Sequence, residues 1–230
     1  MKIMMGMDKF MLKHFSTVHD VGLYSIATTI ASGVTLVTAA FTQAWGPFAF
    51  SIFKKPDSGK VFAKVLDLYS FFGALLVTGF ALFAPLILRV FTTELYYAAA
   101  STVGLLALGT LMNGARFIGS LGCGIAKKSV PTAVSVAIGV VLNLGLNYLL
   151  IPQMGRNGAA TATMIAWAAS LVYRFYASQK LYYIPYRWRT AILPIALSSC
   201  LLLIDGFFIS GNSWMDNGCR TFLLLAFIPV

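Results

Sequence analysis

The chain has 230 residues, 59% of them hydrophobic and 10% charged, with a mean hydropathy of +0.82. A soluble domain carries about 25% charged residues and cannot bury this much apolar surface, so lipid is the solvent of the fold. The net charge of +10 does not mark a nucleic-acid binder, because Lys and Arg sit in short segments between apolar blocks and not along one groove or helix face.

The chain opens on an apolar run, Ile3 to Phe15, with Lys9, Lys13 and His14 interspersed. It lacks the continuous apolar core and cleavage site of a signal peptide and reads as the last turns of a helix emerging into an interface, the stump of a further span. Six apolar blocks follow: Val21 to Phe53, Val65 to Val90, Tyr97 to Ile125, Thr132 to Ile151, Ala159 to Tyr176 and Ala191 to Ile209. A crossing of about 30 Å needs about 20 residues at 1.5 Å each, and these blocks have that length. A seventh, Thr221 to Val230, has ten residues and reads as a span cut short. The expected fold is an all-α polytopic transmembrane helix bundle of about six full spans with a partial helix at either end.

Charge sets the orientation. Lys54, Lys55, Lys60 and Lys64 follow the first block, Lys127 and Lys128 the third, and Arg174, Lys180, Arg187 and Arg189 the fifth. The intervening connections carry little net positive charge, with Arg89 offset by Glu94 and Arg156 standing alone. Every second connection is therefore basic, which predicts that 54–64, 126–131 and 174–190 are cytoplasmic loops. Trp45, Tyr96, Tyr97, Tyr182, Tyr183, Tyr186, Trp188 and Trp214 fall near block ends, where amphipathic rings favour the headgroup layer.

Polar residues inside the blocks are the functional candidates. Arg116 precedes Lys127 by eleven residues on one predicted helix, about 16 Å of rise, which places it near mid-membrane. A central Arg costs about 2.5–3.5 kcal/mol on insertion scales, so it is expected to face water, a partner or a substrate anion. A guanidinium can donate in bidentate fashion to phosphate or pyrophosphate; the alternative is an Arg bonded to nearby carbonyls or snorkelling to the interface. Asn113 stands three residues earlier on nearly the same face. Asn143 and Asn147, spaced i, i+4, stack on one face, suited first to interhelical hydrogen bonding and second to cavity lining. Gln43 precedes Trp45-Gly46-Pro47, a helix-breaking sequence that predicts a kink beside a polar side chain.

Asp67 follows Lys64 by three residues and is expected to pair with it at the interface. Cys123, Cys200 and Cys219 are scattered singly, without a CxxC or a His at metal spacing, and read as packing residues. Asp8, Asp20 and Asp57 form no catalytic constellation in the sequence, no phosphate-cradling loop occurs, and no catalytic, cofactor-binding or metal residue is assigned.

Asp8-Lys9-Phe10-Met11-Leu12, Val21-Gly22-Leu23-Tyr24 and Gln43-Ala44-Trp45-Gly46-Pro47-Phe48, taken in order, resemble the second half of polysaccharide flippases of the multidrug/oligosaccharidyl-lipid/polysaccharide exporter superfamily. Ala126-Lys127-Lys128, then Asn143-Leu144-Gly145-Leu146-Asn147 with Leu150-Ile151-Pro152, Gly155 and Gly158-Ala159-Ala160, then Gln179 to Trp188, continue the likeness, which covers about 8–188.

The resemblance implies a C-terminal six-helix lobe over 1–188, its first helix truncated, and extra C-terminal helices over 189–230, the last truncated. It further implies a multi-pass protein of the bacterial inner membrane that moves an undecaprenyl-pyrophosphate-linked oligosaccharide from the cytoplasmic to the periplasmic leaflet. Such flippases work by alternating access in O-antigen, lipopolysaccharide or capsule biosynthesis, as transporters and not enzymes. The expected substrate contacts are Arg116, Asn113, Asn143 and Gln43. The implied partners are the lipid-linked oligosaccharide, membrane lipids, and a missing N-terminal lobe or another membrane protein that completes the cavity. Two other readings remain open: a multidrug/cation antiporter of the same superfamily, for which Asp67 is the candidate carboxylate, and a non-transporting membrane scaffold or remnant.

Overall fold

The computed structural model describes residues 2–208, and among them the chain is helical throughout, with no strand. The terminal stretch Thr221 to Val230, expected to be part of a seventh span, lies outside the described residues.

The opening apolar run forms α1 (Lys2–Phe15). The chain breaks at Ser16-Thr17, and Thr17 caps the next helix by accepting from the Asp20 backbone N–H at 3.1 Å. Helix α2 (Val18–Ile52) runs through Pro47, whose ring leaves the Gln43 carbonyl without its usual intrahelical donor. A tight turn with Asp57 in the left-handed region (φ 64°) leads to α3 (Ser58–Phe91), and Lys60 pairs with Asp57 at 2.7 Å. A 3-10 turn (Glu94–Ala99) opens α4 (Ala100–Gly119), which gives way at Ser120 to the short α5 (Leu121–Ile125).

Helix α6 (Val130–Leu181) covers the fourth and fifth predicted spans. Its 52 residues are two limbs, 130–154 and 156–181, joined at Gly155 with φ 53° and ψ −130°, a conformation closed to most L-residues. Ser135 bonds Ser170, Asn143 bonds Thr163, and Arg174 bonds the Thr132 carbonyl, so the limbs lie antiparallel about that glycine. The last described helix is α7 (Trp188–Phe208). Helices α2 and α3, the 94–125 segment and α6 are each long and apolar enough to cross a membrane. With α6 counted as two limbs and α7 added, the elements match the six predicted blocks one for one.

Helix α4 is the hub, packed against α2, α3 and α6 and buried along most of its length. Small residues let the backbones approach: a Cβ on Gly122 would sit 2.5 Å from the Ser178 carbonyl oxygen, and the Gly122 N–H instead bonds Ser178 Oγ at 2.9 Å. Large apolar side chains lie on the outside, among them Leu36, Phe72, Val141 and Val172. Such a surface needs an apolar surrounding, which for helices of crossing length is hydrocarbon. The protein is a multi-pass membrane protein.

The connections segregate to two ends. Tyr182 reaches the Phe53 carbonyl, Pro185 lies over Gly59 and Ser178 meets Gly122, which gathers the turns at 53–57, 126–129 and 182–187 at one end. At the other, Arg156 bonds Asp20 and the Ala98 carbonyl, and Asn157 accepts from Thr102. The basic connections thus share one face of the bundle, as the alternation of charge in the sequence requires. Two readings of charge need correction. Arg156 is not alone but bridges Asp20 at 2.9 Å, and Arg174 lies within the second limb of α6, buried, instead of opening a loop.

Candidate functional site

Two of the buried polar clusters within the helical bundle contain a charged side chain. The first is centred on Asp8, whose residue is 0% exposed. Its Oδ1 accepts from Asn143 Nδ2 at 3.1 Å and Asn147 Nδ2 at 2.7 Å. Its Oδ2 accepts from the Tyr24 hydroxyl at 2.7 Å and the Thr163 hydroxyl at 2.8 Å. These donors come from α2 and both limbs of α6, so a single carboxylate ties together four helical segments.

The local sequence explains the convergence. Asn143 and Asn147 are one helical turn apart and present both amides to one side. The Gly155 reversal then brings Thr163 opposite them, 3.0 Å from Asn143 Nδ2. Four donors fill the lone-pair sites of an ionised carboxylate, yet no Lys, Arg or His forms an ion pair with Asp8 among the described residues. Asn147 Oδ1, also buried, has no hydrogen-bond partner. The cluster therefore combines a carboxylate that no positive side chain offsets with a free acceptor oxygen on Asn147, and a proton or cation reaches the carboxylate only if one of its four donors gives way.

The second cluster surrounds Arg116 on α4. Its Nη1 donates to Asn113 Oδ1 at 2.9 Å, and its guanidinium carbon stands 4.7 Å from the centroid of the Trp167 ring on the second limb of α6. Stacking on indole and bonding to an amide make a buried cation tolerable without an acid. Arg116 is 7% exposed and its Nε has no partner. Arg174, seven residues beyond Trp167 on the same limb, is likewise buried and donates to the Thr132 carbonyl at 3.0 Å, with Nε unpartnered.

Of the four expected substrate contacts, the structure brings Arg116 and Asn113 together. It places Asn143 in the other cluster and Gln43 on the exposed face of α2. Asp67 accepts from Thr190 of α7 at 2.7 Å and forms no ion pair with Lys64. Asp67 is the candidate carboxylate of the antiporter alternative; among the described residues the fully buried one is Asp8. Its signal was in the sequence: a lone acid inside the apolar run Ile3 to Phe15 is costly in lipid unless partnered.

No protein-family model matches the chain, and no curated protein sequence matches it. Among solved structures, the fold is similar to that of the lipid II flippase MurJ in its inward closed conformation, with a TM-score of 0.52 at 14% identity. The likeness covers 90% of this chain and 50% of the flippase, so the chain spans about half the length of the structure it resembles. At this identity the likeness establishes the fold: a helical membrane bundle of the flippase-like kind.

Proposed function

We propose that this chain is the C-terminal lobe of a flippase that moves an undecaprenyl-pyrophosphate-linked oligosaccharide across the bacterial inner membrane, from the cytoplasmic to the periplasmic leaflet, by alternating access. The observation that carries this reading is the match of nine-tenths of the chain to half of a lipid II flippase. Charge alternation supports a cytoplasmic position for the basic end. A second lobe, supplied by more of the same polypeptide or by another membrane protein, completes the cavity.

In this reading Arg116 meets the pyrophosphate, while Asn113, Asn143 and Gln43 meet the sugars. Because Arg116 and Asn143 are buried in the conformation described here, they become available only when helices shift, as alternating access demands. No bond is made or broken; the work is binding and reorientation, and surface-polysaccharide biosynthesis, including O-antigen, supplies the substrate class.

The Asp8 cluster favours an ion-coupled form of this transporter. A carboxylate held by four donors can take up a proton only if one donor turns away, so its ionisation is tied to the arrangement of these helices. Taking up a proton or monovalent cation, or giving it up, changes how strongly α1, α2 and both limbs of α6 are held together. The alternative of a drug/cation antiporter uses the same carboxylate and differs in substrate.

The test is deletion of the gene in its native bacterium, followed by measurement of lipid-linked oligosaccharide accessible from each leaflet. Accumulation in the cytoplasmic leaflet, reversed by the intact gene and not by one lacking the segment encoding 1–188, supports the flippase. Normal distribution of glycolipid together with altered drug sensitivity overturns it in favour of the antiporter.

A further inference from the structure

At the basic end of the bundle, a cavity of about 560 Å³ opens between the start of α6 and the end of its second limb. Lys127, Lys128 and Lys180 line it, with Ser129, Tyr173 and Tyr176. No acidic residue is among its lining residues, and none of the three lysines forms an ion pair among the described residues. The Lys180 ammonium stands 4.4 Å from the centroid of the Tyr176 ring, which holds the charge at the cavity mouth. The N-terminus of α6 adds to the field: Ser129 makes no side-chain cap, so the first-turn N–H groups other than that missing at Pro131 receive no cap from it.

A second cavity, of about 580 Å³, adjoins it and shares Tyr176 and Lys180. Its character is opposite, with Leu171, Val172, Phe175, Trp188, Ile192 and Ile195 among its lining residues. From Lys180 back to Leu171 it follows α6 for about 14 Å, from the basic end toward the bundle interior. Each volume falls in the roughly 300–1,000 Å³ range of small-molecule sites. A cationic recess joined to an apolar furrow has the shape and polarity of one amphiphile: an anionic head and a hydrocarbon chain.

We infer that this paired cavity binds an anionic glycerophospholipid of the Lys-rich membrane face. Its phosphate lies among Lys127, Lys128 and Lys180, and one acyl chain lies along the furrow between α6 and α7. Charge complementarity selects the headgroup, since three lysines and a bare helix start meet no carboxylate. The lipid spans the turn between α5 and α6, both limbs of α6 and α7, elements held together there by the Gly122–Ser178 bond and the Phe175–Trp188 ring contact. Binding thus depends on how these helices are arranged, which makes the lipid a regulator of the bundle as well as a solvent molecule. This site is separate from the Asp8 and Arg116 clusters and stands whether or not the chain belongs to a flippase.

Trp188 lines the furrow and provides the readout. The full chain is reconstituted in phosphatidylcholine nanodiscs containing phosphatidylglycerol or phosphatidylcholine brominated near the headgroup end of the acyl chain. The Trp188 contribution is taken as the difference from W188F. Brominated phosphatidylglycerol is expected to quench it at a several-fold lower mole fraction than brominated phosphatidylcholine. Each lysine near an anionic surface contributes about fivefold in binding, so K127Q/K128Q/K180Q is expected to abolish the preference. K54Q/K55Q/K64Q, which removes equal charge elsewhere at the same end, leaves it intact. Retention of phosphatidylglycerol over phosphatidylcholine in native mass spectrometry of the same variants gives a second measure independent of fluorescence.

Equal quenching by the two lipids overturns the proposal, and so does an equal loss from both lysine triples, which identifies diffuse surface charge. Displacement by inorganic phosphate at constant ionic strength overturns it in favour of a free-anion site. Displacement by farnesyl pyrophosphate at concentrations where phosphatidylglycerol fails to compete overturns it in favour of a prenyl-pyrophosphate site.

Discussion

Asn147 Nδ2 donates to Asp8 Oδ1 across 2.7 Å, joining the first limb of α6 to α1 over 139 positions of sequence. With Asn143, Tyr24 and Thr163 on the same carboxylate, α1 is fastened to the bundle by one buried acid together with the buried Leu12 and Met4. Substitutions at Asp8 therefore separate stability from transport. Asp8→Ala removes the shared acceptor of four buried donors, of which Asn143 and Asn147 keep a second one in Thr163 Oγ1 and Asn143 Oδ1, and is expected to cost about 3 kcal/mol, since each unsatisfied group costs about 1–3 kcal/mol. Asp8→Asn keeps one acceptor oxygen and offers an amide to the free Asn147 Oδ1, so its loss is expected to be about half as large. Tryptophan-monitored unfolding in detergent measures both. The asparagine variant is also expected to fold yet fail to correct glycolipid accumulation in the deletion strain. A fully active Asp8→Asn transporter would remove the case for ion coupling.

The Tyr24 and Thr163 hydroxyls share Asp8 Oδ2, which makes their contributions interdependent. Tyr24→Phe or Thr163→Val alone is expected to cost about 0.6 kcal/mol and no more than about 1.7, the range of side-chain hydrogen bonds inside membranes. With both hydroxyls gone, Oδ2 is left bare, and the double variant is expected to lose more than the sum. A double-mutant cycle on the unfolding free energy measures the difference, and strict additivity would show that the two hydroxyls act independently.

The all-helical membrane bundle was legible because lipid leaves a plain record: apolar blocks of crossing length, basic residues at alternate connections and aromatic residues at block ends. The i, i+4 spacing of Asn143 and Asn147 disclosed one polar face of a helix, and Arg116 with Asn113 disclosed another. What faces those residues was not legible, because it depends on how helices distant in sequence are packed. Asp8 lies in a helix too short to register as a span, beside Lys9 and Lys13, and so read as interfacial. Arg174 read as loop because charge counting takes a basic residue near a block end as lying outside the membrane; the helix in fact continues to Leu181. Asp67 shows the same limit: Lys64 is adjacent in sequence, and Thr190 is the partner in space.

Gly155 reverses α6 with φ 53° and ψ −130°, and a Cβ there would stand 2.8 Å from Asp20 Oδ2. Gly155→Ala is expected to cost about 1–3 kcal/mol from backbone strain alone. It also displaces Asp20 from Arg156, so Arg156→Gln in the Gly155→Ala background is expected to add less destabilisation than in the wild type. Unfolding of the two single variants and the double variant tests this. Equal effects of Arg156→Gln in both backgrounds would show that the reversal and the ion pair are energetically separate.

Arg116 lies against Trp167 at 4.7 Å and bonds Asn113 at 2.9 Å, an arrangement that holds a buried guanidinium in reserve without neutralising it. Arg116→Gln removes the cation–π contact and the charge together, at a structural cost of about 1–2 kcal/mol. Arg116→Lys keeps the charge but loses the planar face for indole and the fork for phosphate. If Arg116 served packing alone, both variants would lose stability to a similar extent and transport would fall only with the folded fraction. A pyrophosphate contact gives a different pattern. Normalised to folded protein, Arg116→Gln is expected to lower glycolipid translocation at least tenfold, and Arg116→Lys to retain an intermediate rate. Asn113→Ala, which frees the guanidinium from its hydrogen-bond partner without removing it, is expected to reduce translocation less than Arg116→Gln. Translocation in cells, read as glycolipid accessible on the outer leaflet, together with Tm in detergent, distinguishes the two patterns.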